Sequence, residues 1–566
     1  MEFTQSPAVV IDRQARLTDP VWLNADNHPD VVQFIHNGRA VTCAMFRDEV
    51  ASLAGGLAAG GVKPGDRVGL MSKTRYEWTL IDYAIWAAGA ITVPIYETSS
   101  AEQVQWILED SGAVACFTET DAHTAIVSSL IDKVWQIEGG TLPSGPGIVP
   151  HQGSADDIAT IVYTSGTTGR PKGCVLTHRN MLSDIGNAIP ALPRLFREGS
   201  STVLFLPLAH AFARLIQLGV VQGRVRTLHS ADVKNLVADL GAFKPSFILS
   251  VPRVFEKVYN GAKQRAHADG KGAIFDRAEK VAIDFSRARD AREGPGLALR
   301  LQHKVFDRLV YSRLRAALGG QCHTAISGGA PLGERLGHFF RGVGLVVLEG
   351  YGLTETSPAI TFNREDAQRI GTVGQPLPGV TIRIADDGEI LAKGEVVFSG
   401  YWKNPAATDE VIDEQGWFHT GDLGSLDQQG YLAITGRKKE IIVTAGGKNV
   451  APAVLEDRIR AHPLVSQCMV IGDRRPFIAA LITIDTEARP DTPMEDLIKD
   501  PHLRAEIQTA VDEANKAVSK AEAIRVFRIL PRDFTEATGE LTPSLKVKRA
   551  VVMKEYADEI EAIYGS

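Results

Sequence analysis

The stretch from residue 163 to residue 173 has the composition of a phosphate-binding loop. Its sequence, Tyr-Thr-Ser-Gly-Thr-Thr-Gly-Arg-Pro-Lys-Gly, lies between apolar runs at 159–162 and 174–176, which predict a strand, a loop and a second strand. Glycine lets backbone N–H groups face an anion, and hydroxyls and cations add ligands for a polyphosphate. The predicted phosphate-binding residues are Thr164, Ser165, Gly166, Thr167, Thr168, Gly169 and Lys172.

Two other interpretations of this loop are weaker. A Walker-type loop needs a Gly, four residues and then Gly-Lys-Ser/Thr at the start of a helix, whereas here Gly166 is followed by Lys172 and only then by Gly173. A surface turn is the usual meaning of Gly, Ser and Thr together. The combination of hydroxyls, glycines and two cations between apolar runs favours a phosphate site instead.

Glycine turns follow two predicted strands in the second half of the chain. One is Ala-Ile-Ser-Gly-Gly-Ala-Pro-Leu at 325–332, and the other is Leu-Val-Val-Leu-Glu-Gly-Tyr-Gly-Leu-Thr-Glu at 345–355. Glycine permits close approach of a planar ring, Tyr351 offers a stacking face, and Glu355 offers oxygen ligands to a hard cation. Each segment alone is ambiguous, because a glycine turn is usually only a turn.

Charged residues after residue 415 add further candidates for ligand binding and catalysis. The segment Gly-Trp-Phe-His-Thr-Gly-Asp ends in Asp422, whose carboxylate can accept hydrogen bonds from both hydroxyls of a ribose; a turn Asp is the alternative. It is followed by Gly-Arg-Lys-Lys-Glu at 436–440, Ala-Gly-Gly-Lys-Asn-Val at 445–450 and Leu-Thr-Pro-Ser-Leu-Lys-Val-Lys-Arg at 541–549. Isolated from the others, the segment at 436–440 would be a charged surface turn.

Taken in order, these segments resemble the motifs of the adenylate-forming superfamily, which includes acyl-CoA synthetases, luciferases and peptide-synthetase adenylation domains. The resemblance extends at least from residue 67 to residue 549. The nucleotide roles that it implies are adenine contact for Gly328, Gly329 and Ala330, a place near the ring for Gly350 and Tyr351, ATP or AMP binding for Glu349, Gly352 and Lys546, phosphate contact for Thr354, and ribose contact for Asp422 and Arg437. The other implied roles are Mg²⁺ ligation by Glu355 and Thr164, a hinge at Lys439, the thioester step for Gly446, Gly447 and Lys448, and catalysis by Lys546 with Thr354, Glu355 and His210.

The catalytic lysine is assigned through a departure from the superfamily pattern. The last motif of the superfamily contains Ser-Gly-Lys, whereas Leu545 stands in place of that Gly. The variant resembles the form found in long-chain acyl-CoA synthetases, and its spacing from Ser544 and Arg549 favours Lys546. Lys548 is the alternative, because a Lys/Arg cluster is normally a solvated basic patch.

The implied reaction is the ATP-dependent ligation of a fatty acid to coenzyme A through an acyl-AMP intermediate, with Mg²⁺ as cofactor. Amino-acid-activating relatives need an Asp soon after His210, and the sequence has none there. Ala211, Phe212 and Leu215 instead suggest an apolar acyl channel, although they could simply pack the core. The segment 207–210 resembles long-chain fatty acyl-CoA synthetases. The alternatives are a fatty acyl-AMP ligase that serves a carrier protein, a medium-chain or aryl carboxylate CoA ligase, and a non-catalytic nucleotide- or lipid-binding module.

The elements that position these residues belong to an α/β protein. Apolar strands alternate with helical patterns between residues 66 and 117, which predicts a parallel sheet covered by helices. A chain of 566 residues exceeds one hydrophobic core. Together with the resemblance, this predicts a large N-terminal domain at 1–436, made of parallel and mixed sheets plus a β-barrel-like subdomain, and a small mobile α+β domain at 437–566.

Composition excludes several classes of partner. The net charge of -7, from 61 basic and 68 acidic residues, provides no general nucleic-acid footprint. The five cysteines lack metal-site or disulfide spacing, which suits a reducing cytoplasm. No basic region leads into an apolar core at the N-terminus, and no run of eighteen apolar residues occurs, so we expect neither a secretory signal nor a membrane span.

A basic helical region at 255–318 has two interpretations. Leu301, Val305 and Leu309 share one predicted helix face, and basic residues outnumber acidic ones there. A solvated helical face is the favoured explanation. The alternative is a surface that meets anionic lipid at the inner face of the membrane, which would suit a substrate that partitions into membranes.

Overall fold

Strands and helices alternate through the first part of the chain, as the hydrophobic pattern predicts. The computed structural model describes residues 1–164, 170–232, 235–485, 493–542 and 546–565. The strands are β1 (Glu2–Thr4), β2 (Val32–His36), β3 (Arg39–Thr42), β4 (Arg67–Met71), β5 (Ile91–Ile95), β6 (Ala115–Thr118), β7 (Val134–Gln136), β8 (Ile158–Thr164), β9 (Lys172–Thr177), β10 (Ser201–Leu204), β11 (Arg226–His229), β12 (Phe247–Ser250), β13 (Thr324–Ser327), β14 (Val346–Tyr351), β15 (Thr361–Phe362), β16 (Gln375–Pro376), β17 (Thr381–Ile384), β18 (Glu389–Lys393), β19 (Gly400–Tyr401), β20 (Phe418–Leu426), β21 (Leu432–Arg437), β22 (Ile442–Val443), β23 (Asn449–Val450), β24 (Val465–Ile471), β25 (Ile478–Ile484) and β26 (Ile524–Ile529).

Helices cover these strands on both sides. They are α1 (Asp19–Asn27), α2 (Cys43–Ala59), α3 (Tyr76–Ala87), α4 (Ala101–Ser111), α5 (Asp121–Val127), α6 (His178–Ala191), α7 (Ala211–Gln222), α8 (Leu236–Phe243), α9 (Pro252–Ala268), α10 (Gly272–Asp290), α11 (Leu297–Phe306), α12 (Ser312–Ala317), α13 (Glu334–Val343), α14 (Pro405–Asp409), α15 (Pro452–Arg460), α16 (Met494–Leu497), α17 (Pro501–Asn515), α18 (Arg549–Glu555) and α19 (Ala557–Tyr564). In the part of the chain that the structure describes, no helix has the length and apolar character needed to cross a bilayer.

A seven-stranded sheet positions the predicted phosphate loop. Its order is β19-β9-β8-β5-β4-β6-β7, with β4 to β8 parallel to one another and β9 antiparallel to β8. All five residues of β5 are buried, as expected for a strand covered on both faces. The loop joins β8 to β9, so it leaves the sheet at the end of two neighbouring strands.

A second sheet brings the two glycine turns together. Strands β12, β13 and β14 run parallel, and β15 and β16 extend the sheet in the antiparallel sense. Ser327 at the end of β13 pairs with Glu349 of β14. The turns that follow these strands therefore leave from the same edge, which is where ligands collect in open parallel sheets.

An antiparallel sheet in the order β1-β17-β18-β20-β21 forms the predicted barrel-like part. Asp422 of β20 lies opposite Arg437 of β21 in its register. The register shifts between Leu423 and Gly424 on β20. The antiparallel pairing thus brings together two residues that are fifteen positions apart in the sequence.

The C-terminal part has a sheet and cores of its own. Strands β24, β25 and β26 form a three-stranded sheet that is apolar on both faces. One face packs against α15 and α17, and the other against α18 and α19. The predicted domain boundary between residues 436 and 437 falls within β21, one residue before the 3-10 turn Lys438–Glu440, and it stays a prediction.

Candidate active site

The two stems of the predicted phosphate loop lie side by side. Thr164 is the last residue of β8 and Lys172 the first of β9, and the two pair across the antiparallel ladder. The Thr164 hydroxyl lies 3.5 Å from the Lys172 carbonyl oxygen. The other predicted phosphate-binding residues, Ser165, Gly166, Thr167, Thr168 and Gly169, lie outside the described residues.

Helix α4 holds both stems of the loop. The Tyr163 hydroxyl donates to the Asp110 carboxylate at 2.6 Å, and the Trp106 indole N–H donates to the Pro171 carbonyl at 2.9 Å. The Arg170 guanidinium lies 4.6 Å from the centre of the Trp106 ring, within the range of a cation–π contact. These contacts fix the backbone on either side of the loop relative to the sheet.

Glu355, the predicted Mg²⁺ ligand, lies close to the start of β9. It belongs to the 3-10 turn Thr354–Thr356, and its carboxylate accepts a hydrogen bond from the Tyr401 hydroxyl at 2.8 Å. The Lys172 ammonium lies 5.0 Å from the centre of the same tyrosine ring. Burial and the nearby Glu355 raise the pKa of Tyr401, so its hydroxyl keeps its proton and remains a donor.

The Cys174 thiol lies near both predicted metal ligands. Its sulfur is 4.0 Å from the Thr164 hydroxyl, and burial followed by the Glu355 charge raises the pKa of the thiol well above its ordinary value. One hydroxyl and one carboxylate fit Mg²⁺, which is usually held by one or two carboxylates, waters and substrate phosphates. Among the described residues, no group of three or more His, Cys, Asp or Glu side chains could hold a metal ion.

Asp422, the predicted ribose ligand, is fixed by two donors. The Arg437 Nε donates to Oδ1 at 2.6 Å, and the Tyr351 hydroxyl donates to Oδ2 at 2.7 Å. Burial and the Asp422 charge raise the pKa of Tyr351 well above its ordinary value, so the phenol stays protonated. The structure thus joins β14, β20 and β21 through three residues that the sequence singled out separately.

The first predicted adenine turn packs against α7. A Cβ atom added to Gly328 would lie 2.9 Å from the tip of the Phe212 ring, so a larger residue would displace that ring. Gly329 has a φ of +82° with open space around it, and Ala330 is exposed. Phe212, which was assigned to the acyl channel, therefore contacts the turn that was assigned to adenine.

The second predicted adenine segment ends β14. The Glu349 carboxylate accepts a hydrogen bond from the Leu332 N–H at 2.9 Å, and burial raises the pKa of Glu349 to about 7. Gly350 pairs with β15. A Cβ atom added to Gly352 would lie 1.7 Å from the Pro358 carbonyl oxygen, so no other residue fits this turn.

His210 precedes α7 and caps its first turn. Its Nδ1 accepts a hydrogen bond from the Phe212 N–H at 3.2 Å. Burial and the positive charge of Lys546 lower the pKa of His210 to about 4, so the ring is neutral at physiological pH. Ala211 and Leu215 are buried, and Leu215 belongs to the main apolar core. An acyl channel along this helix stays a prediction.

Lys546 brings the C-terminal part of the chain near Asp422 and Glu355, and the space between these three residues is called the cleft below. Burial and the charge of Arg437 lower the pKa of Lys546, and the carboxylates of Asp422, Glu440 and Glu355 oppose that shift. The residue as a whole is exposed, so its side chain also contacts solvent. The structure therefore brings Lys546 near residues assigned to ribose and to the metal.

The alternative lysine belongs to the start of α18. The Lys548 backbone N–H donates to the Glu540 carbonyl at 2.7 Å, and the next residue, Arg549, donates to the Glu456 carboxylate at 2.6 Å. Within the described ranges, Lys546 is the one charged group that shifts the pKa of His210.

The residues assigned to the hinge and to the thioester step lie elsewhere. Lys439 is exposed in the 3-10 turn after β21. Gly446 and Gly447 are exposed too, and the Lys448 ammonium pairs with the Glu522 carboxylate at 3.2 Å within the C-terminal part. The structure has Lys546 at the cleft and does not bring residues 446–448 together with it.

Polar contacts hold the C-terminal part in this arrangement. The Arg253 guanidinium lies 3.1 Å from the Ser466 hydroxyl and 3.4 Å from the Asp485 carboxylate. The Arg335 guanidinium donates to the Ala461 carbonyl at 2.9 Å. Each contact joins a helix of the N-terminal part to a segment after residue 460.

Sequence reasoning missed the aromatic residues that surround the loop. Tyr401 contacts Glu355 and Lys172, and the Trp402 N–H donates to the Gly173 carbonyl at 2.7 Å. The Trp402 indole donates to the Asp110 carbonyl at 3.0 Å. A pair of aromatic residues after a glycine was the one available signal, and buried core segments have the same pattern.

Comparisons with known proteins identify the family to which the chain belongs. The AMP-binding enzyme family matches residues 21–402, and the AMP-binding enzyme C-terminal domain matches residues 439–566. The chain is 55% identical to the long-chain-fatty-acid–CoA ligase FadD15 of Mycobacterium bovis, over 97% of this chain and 94% of that protein. It is 30% identical to the peroxisomal long chain acyl-CoA synthetase 7 of Arabidopsis thaliana, over 91% of this chain and 80% of that protein.

Solved structures share the fold at low sequence identity. Anthranilate CoA ligase AuaEII, in complex with anthranoyl-AMP, superposes with a TM-score of 0.76 at 19% identity and covers 96% of this chain and 98% of its own. The o-succinylbenzoate CoA synthetase MenE of Bacillus subtilis, in complex with ATP and magnesium, superposes with a TM-score of 0.71 at 21% identity and covers 94% of this chain and 98% of its own. The fold is that of adenylate-forming enzymes, with a large N-terminal domain, a half-barrel sheet and a separate C-terminal domain. The chain belongs to the AMP-binding enzyme family.

Proposed function

We propose that this protein ligates a long-chain fatty acid to coenzyme A through an acyl-AMP intermediate, with release of AMP and pyrophosphate. The observation that most supports the reaction is the pair of fixed carboxylates: Arg437 and Tyr351 hold Asp422, and Tyr401 holds Glu355. The charges of both carboxylates act on the pKa of Lys546, which supports its placement near them. The 55% identity to FadD15, a long-chain-fatty-acid–CoA ligase, supports the substrate class.

The first half-reaction joins a carboxylate to the α-phosphorus of ATP. Both reactants are anionic, so cations and positioning have to lower the barrier. Lys172 would face the phosphates, and Lys546 would bridge the carboxylate and the α-phosphate. Mg²⁺, when bound at Glu355 and Thr164, would offset the charge of the phosphates. No covalent enzyme nucleophile is needed.

Asp422 is suited to hold the ribose during this step. Its two oxygens accept one hydrogen bond each from Arg437 and Tyr351, and each oxygen has a second lone pair for a ribose hydroxyl. The two donors keep the carboxylate from rotating. The nucleotide would then lie between the half-barrel sheet and the turn at Gly328.

The second half-reaction transfers the acyl group to the thiol of coenzyme A. We propose that the small domain rotates about Lys439, so that residues 446–448 replace Lys546 at the cleft. Such a rotation would break the contacts of Arg253 and Arg335 described above. The Arg253 and Asp485 side chains are 15% and 14% exposed, so the rotation would expose both of them to water. The influence of Asp422 and Glu355 on the pKa of Lys546, together with the exposure of residues 446–448, supports assigning this arrangement to the first step.

A panel of carboxylates, assayed for pyrophosphate release and for AMP release with and without coenzyme A, tests this function. We expect long-chain fatty acids to give the highest kcat/KM and coenzyme A to be required for steady turnover. A fatty acyl-AMP ligase would instead stall after one equivalent of pyrophosphate until a carrier protein is added. A preference for medium-chain or aryl acids would overturn the substrate class, and no pyrophosphate with any acid would favour a binding module.

We further propose that the enzyme meets its substrate at an anionic membrane through the basic helices at 255–318. Helix α11 has no buried residue. Its apolar side chains Leu297, Leu301 and Val305 are 84%, 66% and 49% exposed, and Leu309 in the following turn is 51% exposed. A regular apolar stripe would be expected to face the core, so its exposure needs a partner.

Charge favours anionic lipid as that partner. Arg300, Lys304, Arg308 and Arg313 are exposed on the same segment, although the whole protein has a net charge of -7. An apolar stripe flanked by Lys and Arg suits a helix that lies in the headgroup region.

Vesicle flotation tests the membrane contact. We expect binding to phosphatidylglycerol vesicles, little binding to phosphatidylcholine vesicles, and loss of binding in Leu301→Asp/Val305→Asp. Val443→Asp, at a site 42% exposed in the C-terminal part, serves as the matched control. Equal binding of the double variant and the wild type, or no binding to either vesicle, would contradict the proposal.

A further inference from the structure

Tyr401 touches two groups of the candidate site that have different assigned roles. It pairs with Cys174 in the ladder between β19 and β9, and Lys172 lies two residues before Cys174 on the same face of β9. The Lys172 ammonium is 5.0 Å from the centre of the Tyr401 ring, and the Tyr401 hydroxyl donates to Glu355 Oε1 at 2.8 Å. One side chain therefore spans the predicted phosphate and metal groups.

The segment around Tyr401 is itself held in place. The Tyr401 N–H donates to the Thr408 hydroxyl at 2.9 Å, and the Phe398 ring packs edge-on against the Tyr401 ring with centroids 4.9 Å apart. The Phe398 N–H donates to the Glu355 carbonyl at 2.8 Å. The backbone and the carboxylate of Glu355 are thus both fixed by residues 398–401.

We propose that Tyr401 is a positioning residue with two separable functions. Its hydroxyl orients the Glu355 carboxylate for Mg²⁺, and its ring holds the Lys172 ammonium where the nucleotide phosphates bind. The inference rests on the proposed function, because it assumes that MgATP is a substrate. Partners that orient metal ligands affect metal affinity strongly, and an aromatic face restrains a cation without neutralising it.

Equilibrium binding of ATP separates the two functions. Titration calorimetry with ATP in EDTA reports the phosphate contacts, and the same titration in Mg²⁺ reports the gain in affinity due to the metal. In Tyr401→Phe, which keeps the ring, we expect unchanged affinity in EDTA and a Mg²⁺-dependent gain reduced on the order of 10-fold. In Tyr401→Leu, we expect the same reduction together with about 2- to 5-fold weaker binding in EDTA.

Tyr431→Phe is a matched control. The Tyr431 hydroxyl donates to the Ala367 carbonyl at 3.0 Å, and the Arg369 guanidinium lies 3.8 Å from its ring centre. It thus has the same two kinds of contact outside the candidate site, and we expect its ATP affinity to match the wild type in both titrations. If the loss of a tyrosine hydroxyl weakened ATP binding through a general effect on folding, Tyr431→Phe would also bind ATP more weakly.

Three outcomes would overturn the inference, and the two titrations distinguish them from one another. If Tyr401→Phe keeps the full Mg²⁺-dependent gain, the hydroxyl does not orient Glu355. If Tyr401→Leu binds ATP in EDTA as tightly as Tyr401→Phe, the ring does not position Lys172. If the wild type shows no Mg²⁺-dependent gain at all, the proposed function fails as well.

Discussion

The buried ion pair between α3 and α7 allows an estimate of how much unfolding free energy the protein would lose without it. The side chains of Asp82 and Arg214 are 0% and 1% exposed. Two guanidinium nitrogens of Arg214 donate to the Asp82 carboxylate at 2.9 and 2.5 Å, and a third donates to the Thr160 hydroxyl of β8 at 2.6 Å. Arg214 therefore joins α7, the helix that begins after His210, both to Asp82 of α3 and to β8, the strand that ends at Thr164.

Arg214→Met would leave the Asp82 carboxylate buried without its cation. Breaking a buried pair in this way costs about 3–5 kcal/mol. A second route gives a similar figure: protonating a carboxyl with a reference pKa of about 3.9 at neutral pH costs about 4 kcal/mol. We therefore expect the large domain to lose about 4 kcal/mol of unfolding free energy at neutral pH.

The loss should depend on pH with a defined sign. Burial already raises the pKa of Asp82 in the wild type, and removal of Arg214 raises it further. The folded variant then holds a proton that the unfolded chain releases, so stability falls as pH rises from the reference pKa towards the raised pKa. The expected slope is about 1.4 kcal/mol per pH unit. Asp82→Asn/Arg214→Met should show no such slope.

Denaturant unfolding followed by tryptophan emission measures this effect. All seven tryptophans precede residue 437, so the signal reports on the large domain. Arg39→Met is the control, because its pair with Glu49 at 2.8 Å is 46% and 28% exposed and should contribute no more than about 1 kcal/mol. A loss below about 1 kcal/mol in Arg214→Met, or a loss independent of pH, would refute the reasoning.

Two further predictions concern the cleft. Asp422→Asn should weaken ATP binding about 10-fold or more, because hydrogen bonds to a charged group contribute about 1.5–3 kcal/mol; unchanged affinity in a nucleotide titration would contradict the ribose role. The pKa of His210 is lowered from 6.5 to about 4 in the folded protein. Between these two pH values the unfolded chain binds more protons than the folded protein, so the wild type should lose stability as pH falls from 6.5 to about 4. His210→Gln should lose less in the same unfolding series, and identical pH dependence would argue against a buried neutral imidazole.

Local patterns predicted much of the fold. Between residues 66 and 117, strands β4, β5 and β6 alternate with helices α3 and α4, as the sequence pattern predicted. The Thr177 side chain caps α6 with a reciprocal hydrogen bond to Asn180. The strands on either side of the phosphate loop were correct as well. These features depend on residues close together in sequence, where periodicity and capping chemistry act directly.

Contacts between distant segments could not be predicted in the same way. Tyr401 lies in a strand of two residues, too short for any periodicity, and its importance comes from pairing with Cys174. Arg214 and Asp82 meet only after two helices pack on one sheet. The apolar stripe on α11 is exposed in the structure, but the partner of that stripe cannot be read from its period.

We propose that Lys546 takes part in adenylate formation and then leaves the cleft. The direct test measures the two half-reactions separately in Lys546→Ala, with Lys548→Ala as the matched control. We expect Lys546→Ala to lose pyrophosphate release from ATP and a fatty acid, yet to convert a supplied acyl-AMP and coenzyme A to acyl-CoA at a rate close to that of the wild type. Equal loss of both half-reactions in a folded Lys546→Ala protein would contradict the account.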